Sequence, residues 1–226
     1  MMALERASHV IYVLGNHEFY GSNLVDAERV LLNELQQVPA LAAALDQRLH
    51  IAGNVTRHLQ IEDVGFIYGT MWTDFNGGDP ASEQACRQSI HDFRAIVRWF
   101  DTTDRITPAD LAQICRASLR DIELMLKENA RKGLRSVVVT HHMPSHALVH
   151  EQYKRDHRSL LLNGAFAVNA DRLIGEHLPV YWLYGHTHTP TRARLADTWC
   201  ICNPYGYPEE RNLAENRYHP GLVIEL

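Results

Sequence analysis

Along the chain, short apolar runs alternate with longer segments whose apolar residues recur at helical spacing. "HVIYVL" (9–14) is rich in β-branched and aromatic residues and predicts a buried strand. Leu24, Leu31 and Leu35 fall at helical spacing within residues 24–37, with Asn23 as the expected N-cap. "ALAAALDQ" predicts a second short helix, and "VTRHLQI" and "VGFIYG" predict two strands joined by a turn around "EDV". The stretch "TMWTDFNGGDPAS" predicts a polar loop, followed by a helical stretch to Phe100.

The clearest helix begins at Thr107-Pro108, an N-cap followed by proline at the first helical position. Leu111, Ile114, Leu119, Ile122 and Leu126 then continue it toward Gly133. "SVVVT" (136–140), "VYWLYG" (180–185), "TWCICNP" and "GLVIEL" predict strands, and "VNADRLIGEH" predicts a helix. Strands separated by helices, with some hairpins, predict a mixed α/β class with a layered sheet core.

Composition narrows this picture. A chain of 226 residues, 46% of them hydrophobic, suits a single compact domain over 1–226. The formal net charge is −5 with acids and bases interspersed, so there is no basic stripe and no clear nucleic-acid footprint. No apolar run approaches the roughly 18–20 residues of a membrane span, and "MMALERASHV" lacks the apolar stretch of a signal peptide. Cys86, Cys115, Cys200 and Cys202 contain no Cys-x-x-Cys pair, and Cys200 and Cys202 read as facing opposite sides of one strand. Reduced thiols and a cytoplasmic location are therefore expected.

The candidate chemistry lies where strands stop. Among fourteen histidines, several fall in "VLGNHE", "VVVTHHMPS" and "WLYGHTHTP", each following an apolar run. Groups at strand ends on one side of a sheet converge in space. Imidazole nitrogen and amide oxygen suit zinc, manganese or iron. Gly185 is expected to let the backbone turn sharply, so that His186 and His188 project from a loop close enough to serve two adjacent metals. Asn16 offers an amide oxygen, which leaves His17 free beside it. Singly, each motif has an ordinary reading as a turn or polar loop. It is their succession behind buried strands that points to a site.

These blocks resemble the calcineurin-like metallophosphoesterases, whose ordered motifs include Gly-Asn-His-Glu/Asp, a strand-terminal His and Gly-His-x-His. "GNHE" (15–18), "VVVTHHMPS" (137–145) and "GHTH" (185–188) match the last three. "WTDF", "HDFRAI" and "CNPYGYP" resemble one bacterial subgroup, with Tyr205 where that subgroup often carries arginine. The resemblance implies a layered α/β/β/α sandwich with mixed sheets. It implies that Asn16, His141 and His186 bind one divalent ion (Mn, Fe or Zn) and His188 a second. It assigns His17 the role of stabilising the transition state and protonating the leaving group. The implied reaction is hydrolysis of a small phosphorylated substrate, a phosphomonoester or phosphodiester, by a metal-activated hydroxide attacking phosphorus in line. His142 is read as a solvent-facing polar residue, Glu18 as a support for its loop, and Asp74 and Asp92 as anchors of loops or helix ends. Arg155, Arg158, Arg192 and Arg194 near the motif loops are candidate phosphate contacts.

The family's first two blocks, Asp-x-His and Gly-Asp-x-x-Asp, do not occur before Gly15. They supply the bridging aspartate and the first strands of the sheet. The expectation is therefore an N-terminally truncated domain that binds one ion rather than two and associates through an uncovered sheet. The alternative function is that of an impaired or inactive metal-binding or interaction relative.

Overall fold

The computed structural model describes residues 2–99, 103–210 and 218–226. Its strands are β1 (Val10–Val13), β2 (Leu49–Ala52), β3 (Arg57–Ile61), β4 (Val64–Gly69), β5 (Arg135–Thr140), β6 (Tyr181–Tyr184), β7 (Thr191–Leu195) and β8 (Thr198–Cys202). Its helices are α1 (Met2–Arg6), α2 (Ala27–Gln36), α3 (Pro39–Ala42), the short turn α4 (Phe75–Gly78), α5 (Pro80–Ser89), α6 (Asp92–Ala95), α7 (Pro108–Arg131), α8 (His157–Leu162) and α9 (Asp171–His177). The mixed α/β class expected from the sequence is the one found.

β1 and β2 form a two-stranded parallel sheet, with Val10 opposite Leu49 and Val13 opposite Ala52. The other six strands form a mixed sheet in the order β3-β4-β5-β6-β8-β7. Its centre is parallel, and β3 and β7 pair antiparallel at its two edges.

Side-chain alternation divides the larger sheet between two apolar clusters. Val138, Trp182, Tyr184, Cys200 and Cys202 join the main core. Val137, Tyr181 and Ile201 face the other way, into a smaller cluster with Val64. Cys200 and Cys202 therefore share a face, against the expectation, because residues two apart in a strand point the same way. All four cysteines are free and buried.

α7 starts as its sequence demands. Thr107 Oγ1 accepts from Asp110 N at 3.3 Å, and Asp110 Oδ2 accepts from Thr107 N at 2.9 Å. At the other end of α7, buried Asn129 donates from Nδ2 to Gly65 O (3.2 Å) and to Ser136 Oγ (3.0 Å), which ties the helix to β4 and β5. A Cβ on Gly65 would sit 2.2 Å from that Nδ2, so β4 needs glycine there to admit the amide. Gly65→Ala is expected to destabilise the fold by about 2–4 kcal/mol, combining overpacking with broken buried hydrogen bonds. Chemical denaturation checks this, and a loss below about 0.5 kcal/mol, the range of a neutral surface change, would refute it.

Some local expectations give way. Asn23 does not cap α2; Asp26 occupies the N-cap position, and Asn23 Oδ1 instead accepts from Val25 N and Asp26 N in the preceding turn. The stretch read as a polar loop buries Met71, Trp72 and Phe75 in the core. Residues 221–226 form no strand. Phe100, the expected end of the helical stretch, lies outside the described residues.

Thr70 joins the two sheets where the site forms. It is fully buried. Its Oγ1 donates to Leu14 O after β1 (2.8 Å), its N to Gly53 O after β2 (2.9 Å), and its O accepts from His141 N after β5 (3.1 Å). Gly185 N after β6 donates to His141 O at 2.9 Å. These bonds lock five strand ends together, those of β1, β2, β4, β5 and β6, and bring widely separated motifs to one place.

Candidate metal centre

Asn16 opens a short 3₁₀ turn directly after β1. Glu18 secures that turn, accepting Gly15 N at 2.8 Å through Oε2 and Tyr12 OH at 2.9 Å through Oε1, the supporting role expected of it. Gly15 itself has extended backbone. Its lack of a side chain matters for space, because a Cβ there would lie 2.5 Å from His141 Cε1. Gly185 likewise needs no positive φ; the left-handed residue of the second loop is His186, at φ 63°. The sharp turn expected at the glycine is made by the histidine, a residue type enriched in that region. Phe166 seats the His186 ring, with centroids 4.8 Å apart.

The turns bring Asn16, His141 and His186 into contact. Asn16 Oδ1 lies 3.0 Å from His141 Nε2, and His186 Nδ1 lies 3.1 Å from the same nitrogen. A ring nitrogen of His142 completes a trio with His141 and His186 in which all three lie within 4.8 Å of one another. His142 is 1% exposed, under the Trp72 ring at 5.2 Å, so the expectation that it faces solvent is corrected. Met143 N bonds to Phe166 O just beyond, and this turns the segment after β5 inward.

Burial holds His141 and His142 well below the usual imidazole range, and the neighbouring His186 pushes each further down. His186 is lowered to about 4, chiefly by burial, with the charge of Asp92 opposing the shift. The trio is therefore neutral at neutral pH, with lone pairs free to bind. His141 Nε2 is either a donor or an acceptor, so in either tautomer it can bond only one of these two neighbours at a time. A cation satisfies all of these lone pairs at once. Ligands on a tetrahedral zinc ion stand about 3.3 Å apart, close to the separations found here. The residues fit a divalent ion.

His17 and His188 lie in a different setting. His17 is exposed, with Tyr20 at 4.7 Å and Tyr207 at 6.1 Å between ring centroids. Tyr207 OH is 3.5 Å from His17 Nε2. His188 Nδ1 pairs with Glu210 Oε2 at 2.7 Å, and its ring meets Tyr207 edge-on at 4.6 Å. Tyr207 lies within the "CNPYGYP" segment but was given no role there, and Glu210 carried no signal; both reach the site from the far end of the chain.

The candidate carboxylates, and Arg192 and Arg194 among the candidate arginines, are engaged elsewhere. Asp74 caps the α4 turn by accepting Gly77 N at 3.1 Å. Asp92 is buried against Asn16 and Tyr20. Among the described residues, the imidazole trio includes no carboxylate. Arg192 and Arg194 lie over the Trp199 ring at 5.3 and 6.0 Å. Arg155 follows a 3₁₀ turn and Arg158 belongs to α8.

The family model for calcineurin-like phosphoesterases matches residues 1–190. An uncharacterised protein, L509, of Acanthamoeba polyphaga mimivirus is 23% identical over 227 residues, covering 96% of this chain and 73% of its own length. The phosphopantetheinyl hydrolase PptH from Mycobacterium tuberculosis shares the fold with a TM-score of 0.59 at 16% identity, over 99% of this chain and 81% of that one. Among the described residues, no helix is long and apolar enough to cross a membrane.

Proposed function

The chain belongs to the calcineurin-like phosphoesterase family, and from that premise we propose that it is a metal-dependent hydrolase of small phosphoesters. Asn16, His141 and His186 would hold one divalent ion, with His142 beside them, and His188 would serve a second. An ion bound there supplies a Lewis acid for the phosphoryl oxygens and lowers the pKa of attacking water. Glu18 and Gly15 keep the Asn16 turn in place. Burial keeps His141 and His186 neutral for binding. His17, at the exposed rim, protonates the departing oxygen. The observation that carries this reading is the meeting of Asn16 Oδ1 and His186 Nδ1 at His141 Nε2.

A second reading, an ion-binding relative with little turnover, is favoured by the absence of a carboxylate from the trio among the described residues. Two close cations need negative charge between them, so one tight ion is the expected stoichiometry. Metal analysis after loading with Mn²⁺ or Zn²⁺, paired with chromogenic monoester and diester assays, separates the readings. A phosphoesterase hydrolyses at least one ester, and EDTA abolishes the activity. One tight ion with no hydrolysis above buffer supports the second reading. Ion binding that survives both Asn16→Ala and His186→Ala would falsify the site itself.

A further inference from the structure

We propose that Asp92 is a positioning residue that fixes which end of the Asn16 amide faces the imidazoles. The proposal rests on the reading of Asn16 as an ion ligand. The two ends of an asparagine amide are nearly the same shape and opposite in chemistry: the oxygen can ligate a cation and the NH₂ cannot. Something must therefore choose between the two rotamers. Asp92 Oδ1 lies 2.8 Å from Asn16 Nδ2, and the bond is buried. A carboxylate only accepts, so it can face only the NH₂ end. A flipped amide would set oxygen against oxygen at Asp92 and present N–H groups to His141. The observed orientation instead leaves Oδ1 3.0 Å from His141 Nε2.

Asp92 is itself held. Tyr20 OH donates to the same Oδ1 at 2.5 Å. Asp92 opens α6, which is anchored by buried Phe93 and Ile96. The segment after Asn16 is laced to α6 and the stretch just beyond it, with Gly21 N bonding to Ala95 O and Leu24 N to Val97 O at 3.0 Å. The His91 ring meets Tyr20 edge-on at 5.3 Å. The carboxylate thus approaches Asn16 from a rigid support, and its hydrogen bonds run to donors rather than to the imidazoles.

The test is calorimetric titration of the full chain with Zn²⁺ alone, with circular dichroism as the check on folding. Asp92→Ala removes the acceptor and is expected to weaken binding about 10–100-fold, as loss of a ligand's orienting partner does. Asp92→Asn keeps an oxygen that can accept from Asn16 Nδ2 and is expected to recover most of that loss. Asp92→Leu, isosteric and without an acceptor, should match Asp92→Ala and takes its place if the alanine variant does not fold. If Asp92→Asn is as damaging as Asp92→Ala, charge or direct ligation is at work and the positioning role is wrong. If Asn16→Ala weakens binding but Asp92→Ala and Asp92→Leu do not, the positioning role alone fails. If Asn16→Ala has no effect, the ligand reading fails and takes this proposal with it.

Discussion

Replacing His17 with alanine is expected to lower kcat on an alkyl phosphoester by about 10²–10⁴, the contribution of a positioned general acid. His17 sits among Tyr20 and Tyr207 at the exposed rim. Its loss should leave ion affinity nearly unchanged, so the defect belongs to kcat. A p-nitrophenyl ester has a leaving group that departs without a proton, so its hydrolysis should fall much less. Steady-state kinetics on the two esters, alongside Zn²⁺ titration, make the comparison. Equal losses on both substrates would remove His17 from proton transfer, and a parallel loss of ion affinity would make it a structural or ligating residue instead.

Gly15→Ala should disable the site without touching a ligand. The added Cβ would lie 2.5 Å from His141 Cε1, 2.8 Å from Nδ1 and 3.0 Å from Nε2. The His141 ring has little room to retreat, with His186 and Asn16 in contact at its Nε2 and the His142 ring 5.0 Å away. Either the ring tilts away from its partners or the Asn16 turn shifts outward, and both separate the ligands. Loss of ion affinity by at least the 10–100-fold typical of a lost orienting contact is expected, with a cooperative unfolding transition retained. The extended backbone of Gly15 is open to alanine, so any effect comes from crowding. Unchanged Zn²⁺ affinity in a folded Gly15→Ala protein would show that the ring has room and that the contact is not decisive.

Much of the architecture was legible because its signals are local. The apolar runs that became β4, β5, β6 and β8 are buried strands whose composition reports their own surroundings. α7 announced itself through Thr107, Pro108 and a helical stripe. β2 was missed: it is four residues long and buried throughout, so it shows no alternation. β7 was missed because Thr191–Leu195 lies at the sheet edge, half in solvent. The strand expected at 221–226 failed because apolar content alone does not supply a partner.

By itself, the sequence determined that Gly-Asn-His-Glu, His-His and Gly-His-x-His each follow an apolar run, since the residues that end a strand and those that bear chemistry are neighbours in the chain. Only the tertiary structure decided what those residues meet. Asp92 reaches Asn16 across 76 positions, and Tyr207 reaches His17 across 190. His142 turned inward beneath Trp72, against its reading as a surface residue. Gly15 and Gly65 leave the openings that His141 and Asn129 fill. The physical reason is the same in each case. Periodicity and composition record how much of a side chain is buried, whereas the partner it is buried against depends on how distant segments pack, and no local pattern encodes that.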